Sequence, residues 1–358
     1  MIPAQLIRPE ILGLSAYHVA DARGLIKLDA MENPYRLPDA LRAELGALLG
    51  EAAINRYPAP SAPDLQRTLR EAFAIAPEHA LLLGNGSDEL IQILASAVAR
   101  PGATLLALEP SFVMYRMIAG FAGLRYVGVP LRADFSLDEA AVLEAMERER
   151  PALTFIAYPN NPTGNVFDRA ALQRVIAAAP GLVVLDEAYH AFAGGLSFQD
   201  DLARHDHLLV MRTVSKLGLA GLRLGYLVGA PAWIAEFDKV RLPYNVNVLT
   251  QLAAAYALRH VDVLQAQAAS LVQERWRLLQ AMAALPGVRP HDSHANFVLF
   301  RVADAARVFN GLKARGVLIK NLHGTHPLLD QCLRVTVGTP DENAAFLDAL
   351  AAETGTTS

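Results

Sequence analysis

The stretch Leu208-Leu209-Val210-Met211-Arg212-Thr213-Val214-Ser215-Lys216 decides how this chain is read. A short apolar run ends in polar residues, and a lysine closes the cluster. Seven residues on stands Arg223, inside Ala220-Gly221-Leu222-Arg223-Leu224-Gly225. Continuous apolar runs of this length suit strands buried on both faces of a mostly parallel sheet. Similar runs recur at Leu81-Leu82-Leu83, Leu105 to Leu108, Leu153 to Ala157, Leu182 to Leu185 and Tyr226-Leu227-Val228. Helical patterns separate them, so the class is α/β.

The character changes after Pro243. An Ala- and Leu-rich helical stretch runs from about Leu249 to Leu285, with a break near His260. A strand at Phe297 to Phe300, a helix around Ala305 to Arg315, two short strands near Val317 and Leu333, and a last helix after Pro340 follow. The expected organisation is an N-terminal arm (1–27) lying on one domain or on a partner subunit, a large domain (28–243), and a smaller α+β C-terminal domain (244–358).

The chain has 358 residues, 53% hydrophobic and 19% charged, which suffices for a large core plus a small one. A formal net charge of −4 with no basic block argues against nucleic acid as the main partner. The single cysteine, Cys332, can form neither an internal disulfide nor a cysteine metal site, which suits a reducing cytoplasm. Met1-Ile2-Pro3-Ala4-Gln5 shows no signal pattern, and every apolar run is interrupted before membrane-spanning length. Glu144 to Arg150 reads as a solvated helix face. Trp233 and Trp276 read as packing residues. The pairs His291/His294 and His323/His326 read as loop or packing histidines, so no metal is expected.

Ligands of open α/β sheets bind at the carboxyl ends of the strands, and the polar segments fall just there. Lys216 supplies an amine that can bond an aldehyde, and Ser215 and Arg223 can hold a phosphate. Gly84-Asn85-Gly86-Ser87-Asp88-Glu89 follows a strand and opens a helix, whose first amides can face an anion; alone it is equally a turn with a helix cap. Tyr158-Pro159-Asn160-Asn161-Pro162-Thr163-Gly164 is a stiff turn that can aim Asn161 inward, and alone is an ordinary Pro-Gly loop. Asp186, ending an apolar strand, needs a partner for its charge: a ligand nitrogen, an ion pair or a helix cap.

In order and spacing, Asn160 to Gly164, Asp186-Glu187-Ala188-Tyr189 and Ser215-Lys216 resemble the aminotransferases of fold type I. The likeness narrows to the histidinol-phosphate aminotransferase family through Met31-Glu32-Asn33-Pro34-Tyr35, Arg56-Tyr57-Pro58, Gly84 to Glu89, Arg212 to Gly225, Asn296-Phe297 and Cys332 to Thr339. The resemblance implies a large domain with a mostly parallel seven-stranded sheet and pyridoxal 5'-phosphate as cofactor. Lys216 would carry the cofactor and move a proton on the substrate. Asp186 would pair with the pyridine nitrogen, Asn161 and Tyr189 with the phenolic oxygen, and Tyr115 would stack on the ring. Gly86, Ser87, Ser215 and Arg223 would hold the cofactor phosphate. Tyr57 would reach the neighbouring subunit's cofactor, which implies a homodimer with shared sites. Tyr17, Asn33, Lys320 and Arg334 would bind substrate; Arg334 on its own is equally a strand arginine in an ion pair.

The implied reaction exchanges an amino group between L-histidinol phosphate and 2-oxoglutarate, in histidine biosynthesis. Two features depart from the family pattern. The segment from Lys216 to Arg223 is one residue shorter than is common, and Lys320 stands where some members carry arginine. Other readings of the same residues are a decarboxylase of a phosphorylated amino acid (similar to threonine-phosphate decarboxylase), an aromatic aminotransferase, and a regulator that keeps the fold as a sensor.

Overall fold

The computed structural model describes residues 3–16 and 20–355. Its strands, in chain order, are β1 (Ile26–Lys27), β2 (Ala80–Gly84), β3 (Thr104–Glu109), β4 (Arg125–Pro130), β5 (Leu153–Ala157), β6 (Leu182–Asp186), β7 (Leu208–Thr213), β8 (Gly225–Gly229), β9 (Arg289–Pro290), β10 (Phe297–Arg301), β11 (Val317–Leu318), β12 (Lys320–Asn321) and β13 (Cys332–Thr336). The helices are α1 (Pro9–Leu12), α2 (Asp39–Gly50), α3 (Pro63–Phe73), α4 (Ser87–Val98), α5 (Val113–Ala122), α6 (Glu139–Glu149), α7 (Arg169–Ala178), α8 (Pro231–Asp238), α9 (Val248–Arg259), α10 (Val261–Ala283), α11 (Ala305–Ala314) and α12 (Pro340–Thr354).

Seven strands form the main sheet in the order β2-β8-β7-β6-β5-β3-β4. Only β8 runs antiparallel to its neighbours; the remaining pairs are parallel. Successive side chains of each strand enter opposite cores. Leu106, Leu108, Val183 and Leu185 pack on one face, and Leu105, Ala107, Leu182 and Val184 on the other. Burial on both faces is why these strands read as unbroken apolar runs. The register pairs Ala157 with Asp186 and Asp186 with Met211, so the carboxyl ends of β5, β6 and β7 finish level. That shared edge is where the polar residues gather.

The sequence reading did not include β4. It is an edge strand, exposed at Arg125 and only partly buried over the next three residues. Its polar and apolar residues mix, so no apolar run marks it.

The second sheet is antiparallel, in the order β12-β13-β10-β9. The expected long helical stretch is α9 and α10, broken at His260 (φ −112°, ψ 38°). A reciprocal capping box of Thr339 and Glu342 starts α12. Helix α9, placed above in the C-terminal segment, packs on α2 and α3. The N-terminal residues reach both parts of the molecule. Arg8 donates to the Phe121 carbonyl at the end of α5 (2.6 Å), and β1 pairs with β11.

The reading of both tryptophans as packing residues fails for Trp276, which is 60% exposed. Its neighbour Arg275 takes the inward face of α10, donating to the carbonyls of Phe192 and Ala295. Trp233 is 38% exposed and stacks on Phe237. Among the described residues, no helix is long and apolar enough to cross a membrane.

Candidate active site

The end of β6 carries two adjacent carboxylates that point opposite ways, as strand geometry requires. Asp186 lines a cleft at the sheet edge and is 4% exposed. The Tyr115 hydroxyl donates to its Oδ2 (2.6 Å), and the Ala188 amide to its Oδ1 (3.1 Å). Burial pushes the Asp186 pKa up to about 6; the Tyr115 and Ala188 donors hold it down, while Asp88 and Glu187 add repulsion.

Glu187, fully buried, faces away. It accepts from Nε (3.0 Å) and Nη2 (2.8 Å) of Arg212 on β7, and from the Phe198 amide (2.6 Å). This pair anchors the strand end that presents Asp186. Replacing Glu187 with alanine strands a buried guanidinium, so a loss of about 3–5 kcal/mol of stability is expected in urea unfolding. The double change Glu187→Ala with Arg212→Leu should recover part of that loss.

After β7 the chain makes a tight helical turn, Ser215–Leu219, with Gly218 at φ 126°. A side chain on Gly218 would be strained there and would press on Asn33 Nδ2, 3.0 Å away. Within this turn Lys216 Nζ donates to the Ala30 carbonyl (3.1 Å) at the cleft wall. Burial lowers its pKa to about 8, aided by the cations Arg334 and Arg223 and opposed by Glu32 and Asp88. About a tenth of this amine is then neutral at pH 7, against under about 0.1% for an ordinary lysine.

The other end of the cleft is built to receive an anion. Gly86 (φ 83°) turns the chain into α4, whose first free amide belongs to Ser87. Added Cβ atoms would fall 2.6 Å from Arg223 Nη2 at Gly86, and 2.7 Å from the Ser87 nitrogen at Gly225. Both glycines therefore permit close approach. Arg223 adopts a left-handed conformation (φ 50°) and reaches α4, with Nη2 3.6 Å from Asp88 Oδ2. The shorter Lys216–Arg223 segment thus still delivers Arg223 to the cleft. Ser215 is also at the wall, its hydroxyl 2.8 Å from that of Thr213. Burial raises the Asp88 pKa against the pull of Arg223 and Lys216.

Toward the second sheet, Arg334 Nη1 donates to Asn161 Oδ1 (2.5 Å) and Nη2 to the Asp29 carbonyl (3.2 Å). Its guanidinium lies over the Phe297 ring, 5.1 Å from the centroid, and that ring meets Tyr189 edge-on. Asn161 and Tyr189 both line the cleft. Burial raises the Tyr189 pKa. Lys320 pairs in register with Arg334 across β12 and β13, on the same face of the small sheet.

Lys320 and Arg334 are not among the residues that line the cleft, although Arg334 bonds Asn161, which is, and Tyr115, Asn33 and Tyr57 stand elsewhere. Tyr115 does not stack at the cleft wall. It is wholly buried one turn into α5, stacked on Phe155 (4.7 Å) beneath Asp186. Phe112, at the N-cap of α5, lines the cleft instead. Proximity of the helix entry to the strand ends was the available signal. Asn33 is not at the wall either, because its amide serves the chain. Nδ2 donates to the Leu217 carbonyl and Gln267, and Oδ1 accepts from the Tyr35 amide. It braces the Lys216 turn. Tyr57 lies away from the cleft, 81% exposed and stacked on Tyr244 (4.5 Å). Tyr17 lies outside the described residues. Met31, Asp88, Phe112 and Thr213 line the cleft without having been given a role from sequence.

An amine of lowered pKa stands in a cleft with a buried carboxylate and an anion cradle of helix amides, hydroxyls and arginine. That donor set fits pyridoxal phosphate: Arg223, Ser215 and the start of α4 for its phosphate, Lys216 for its aldehyde, Asp186 for its ring nitrogen.

Comparisons agree. The family described as aminotransferase class I and II matches residues 23–350. A histidinol-phosphate aminotransferase of Chromobacterium violaceum is 60% identical over 346 residues, 97% of each chain. One from Cupriavidus pinatubonensis is 58% identical, over 97% of this chain and 96% of its own. The structure of histidinol-phosphate aminotransferase from Sinorhizobium meliloti in complex with pyridoxal-5'-phosphate superposes with a TM-score of 0.87. It has 25% identity and covers 98% of both chains. A cleft of this chemistry, on this fold, with relatives this near, makes the chain a member of the class I and II aminotransferases that depend on pyridoxal phosphate, grouped with the histidinol-phosphate aminotransferases.

Proposed function

We propose that the chain exchanges an amino group between L-histidinol phosphate and 2-oxoglutarate, as a cytoplasmic homodimer serving histidine biosynthesis. The observation that carries this is Lys216, an amine of lowered pKa in one cleft with Asp186, Arg223 and the start of α4. When bound, pyridoxal phosphate supplies an aldehyde to receive the amino group and a ring that withdraws electrons.

The chain's own residues do the rest. Lys216 would hold the cofactor at its aldehyde, and its amine would take and return the substrate's α-proton. Asp186 would keep a proton on the ring nitrogen, and Asn161 and Tyr189 would orient the ring. Arg334, with Lys320 opposite it, offers positive charge for either the γ-carboxylate of glutamate or a substrate phosphate. Phe112, Met31 and Tyr189 line the cleft with apolar and aromatic surface. Tyr57, exposed on its own subunit, would enter the site of a second copy.

The test is a titration of the purified, cofactor-loaded protein, followed by its visible absorbance. L-Histidinol phosphate is expected to bleach the band and phenylalanine to leave it. Equal bleaching by phenylalanine, or release of carbon dioxide without keto-acid exchange, would overturn the proposal. In the same assay Arg334→Gln should lower kcat/KM about 10–100-fold for both the phosphate and the dicarboxylate substrate.

A further inference from the structure

The hydroxyl of Tyr115 has a task that the reaction scheme leaves unassigned. Its ring is gripped on two sides, stacked on Phe155 (4.7 Å, 10°) and edge-on to Phe112 (5.6 Å, 85°). No part of it reaches solvent. Aromatic packing alone would be served as well by phenylalanine, yet here a polar atom is taken into the core. Such an atom is costly unless it is bonded. Its partner is Asp186 Oδ2 at 2.6 Å, in the range of charge-assisted O–H···O⁻ bonds.

The other carboxylate oxygen is held by the Ala188 amide at 3.1 Å. With one donor on each oxygen, the carboxylate plane cannot rotate without breaking a bond. The donors also favour the ionised form, against the burial and the neighbouring carboxylates Asp88 and Glu187 that oppose it.

We propose that Tyr115 is a positioning residue: its hydroxyl locks Asp186 in plane and ionised, and so decides how firmly the cofactor's ring nitrogen keeps its proton. This rests on the cofactor assignment above. Without the hydroxyl the buried carboxylate becomes the stronger base. The proton shared between nitrogen and carboxylate would then move toward Asp186, and the pair would turn from ionic to neutral. The Phe112 contact adds a link, since the residue at the cleft wall and the residue bracing Asp186 touch one another.

The experiment uses holoenzyme loaded with cofactor labelled with ¹⁵N at the ring nitrogen, and follows its chemical shift against pH without substrate. Tyr115→Phe keeps the ring and its packing. It is expected to move the nitrogen's shift below the midpoint toward that of the unprotonated ring, as the proton passes to the carboxylate, and to lower kcat about tenfold with KM little changed. Incorporating 3-fluorotyrosine at position 115 preserves the hydroxyl and makes it a stronger donor, so the nitrogen's shift should move toward that of the fully protonated ring; this arm stands if the phenylalanine variant fails to fold. Nitrogen shifts equal to wild type below the midpoint in both proteins would overturn the proposal. Failure of the wild-type protein to bind labelled cofactor at all would instead overturn the cofactor assignment beneath it.

Discussion

Replacing Lys216 with alanine is expected to lower turnover by at least about 10,000-fold, since the group that moves the α-proton is lost. The protein should still bind cofactor phosphate through Arg223, Ser215 and α4. Stopped-flow assays and the visible spectrum of the loaded protein check both statements, and residual turnover within about tenfold of wild type would refute the assignment of Lys216.

A linked effect follows from the amine's environment. Lys216 is lowered from 10.5 to about 8 by burial first and then by Arg334 and Arg223. Between those values the unfolded chain holds a proton that the folded chain has released, so stability rises with pH through that window. Below about 8 both states are charged and the fold bears a buried cation. Cofactor-free Lys216→Met, neutral and of similar length, should therefore melt at or above wild type at pH 7. Cofactor uptake by the wild-type protein should speed up as pH rises through about 8.

Asp186→Asn is the second large effect, with kcat expected to fall about 100- to 1,000-fold through loss of a fixed charge facing the ring nitrogen. Here the sign of the stability change is opposite to that of the activity change. Burial lifts this carboxyl from 3.8 to about 6. Between those values the folded state binds a proton that the unfolded state has shed, so stability falls as pH rises through the window. Above about pH 6 the cost is complete, on the order of 3 kcal/mol. Asparagine can still accept from Tyr115 and carries no charge. The cofactor-free variant should then be more stable than wild type at pH 7 and no more stable at pH 4. A melting series across that range decides it, and a variant less stable at pH 7 would mean the carboxylate is better solvated than its burial implies. Such a gain in stability at the expense of chemistry is expected where a site holds unfavourable charge for function.

Much of this was legible in the chain itself, for identifiable reasons. β5, β6 and β7 are buried on both faces, so their composition alone marks them. Lys216, Asp186 and Arg223 follow strand ends, and strand ends in this class face the ligand. Gly86 and Gly218 mark backbone that other residues adopt poorly. What escaped was whatever depends on direction. Tyr115 and Phe112 are three residues apart at the start of one helix, and nothing in their order tells which faces the cleft and which the sheet. Asn33 is a plausible ligand by type, but its amide is consumed by Leu217, Gln267 and Tyr35. Lys320 and Arg334 are fourteen residues apart in number and become neighbours through the register of β12 on β13.

By itself, then, the order of amino acids determined the alternation of buried strands and helices, the place of the site at their carboxyl ends, and the amine, acid and arginine that occupy it. Those properties are local: apolar period, turn chemistry and residue type at an element's end. Only the tertiary structure decided which side chains enter the cleft, which stand behind it as braces, and how far burial moves Lys216 and Asp186 from their ordinary proton affinities. Orientation and desolvation are set by neighbours brought in from far along the chain, and no local pattern carries that information.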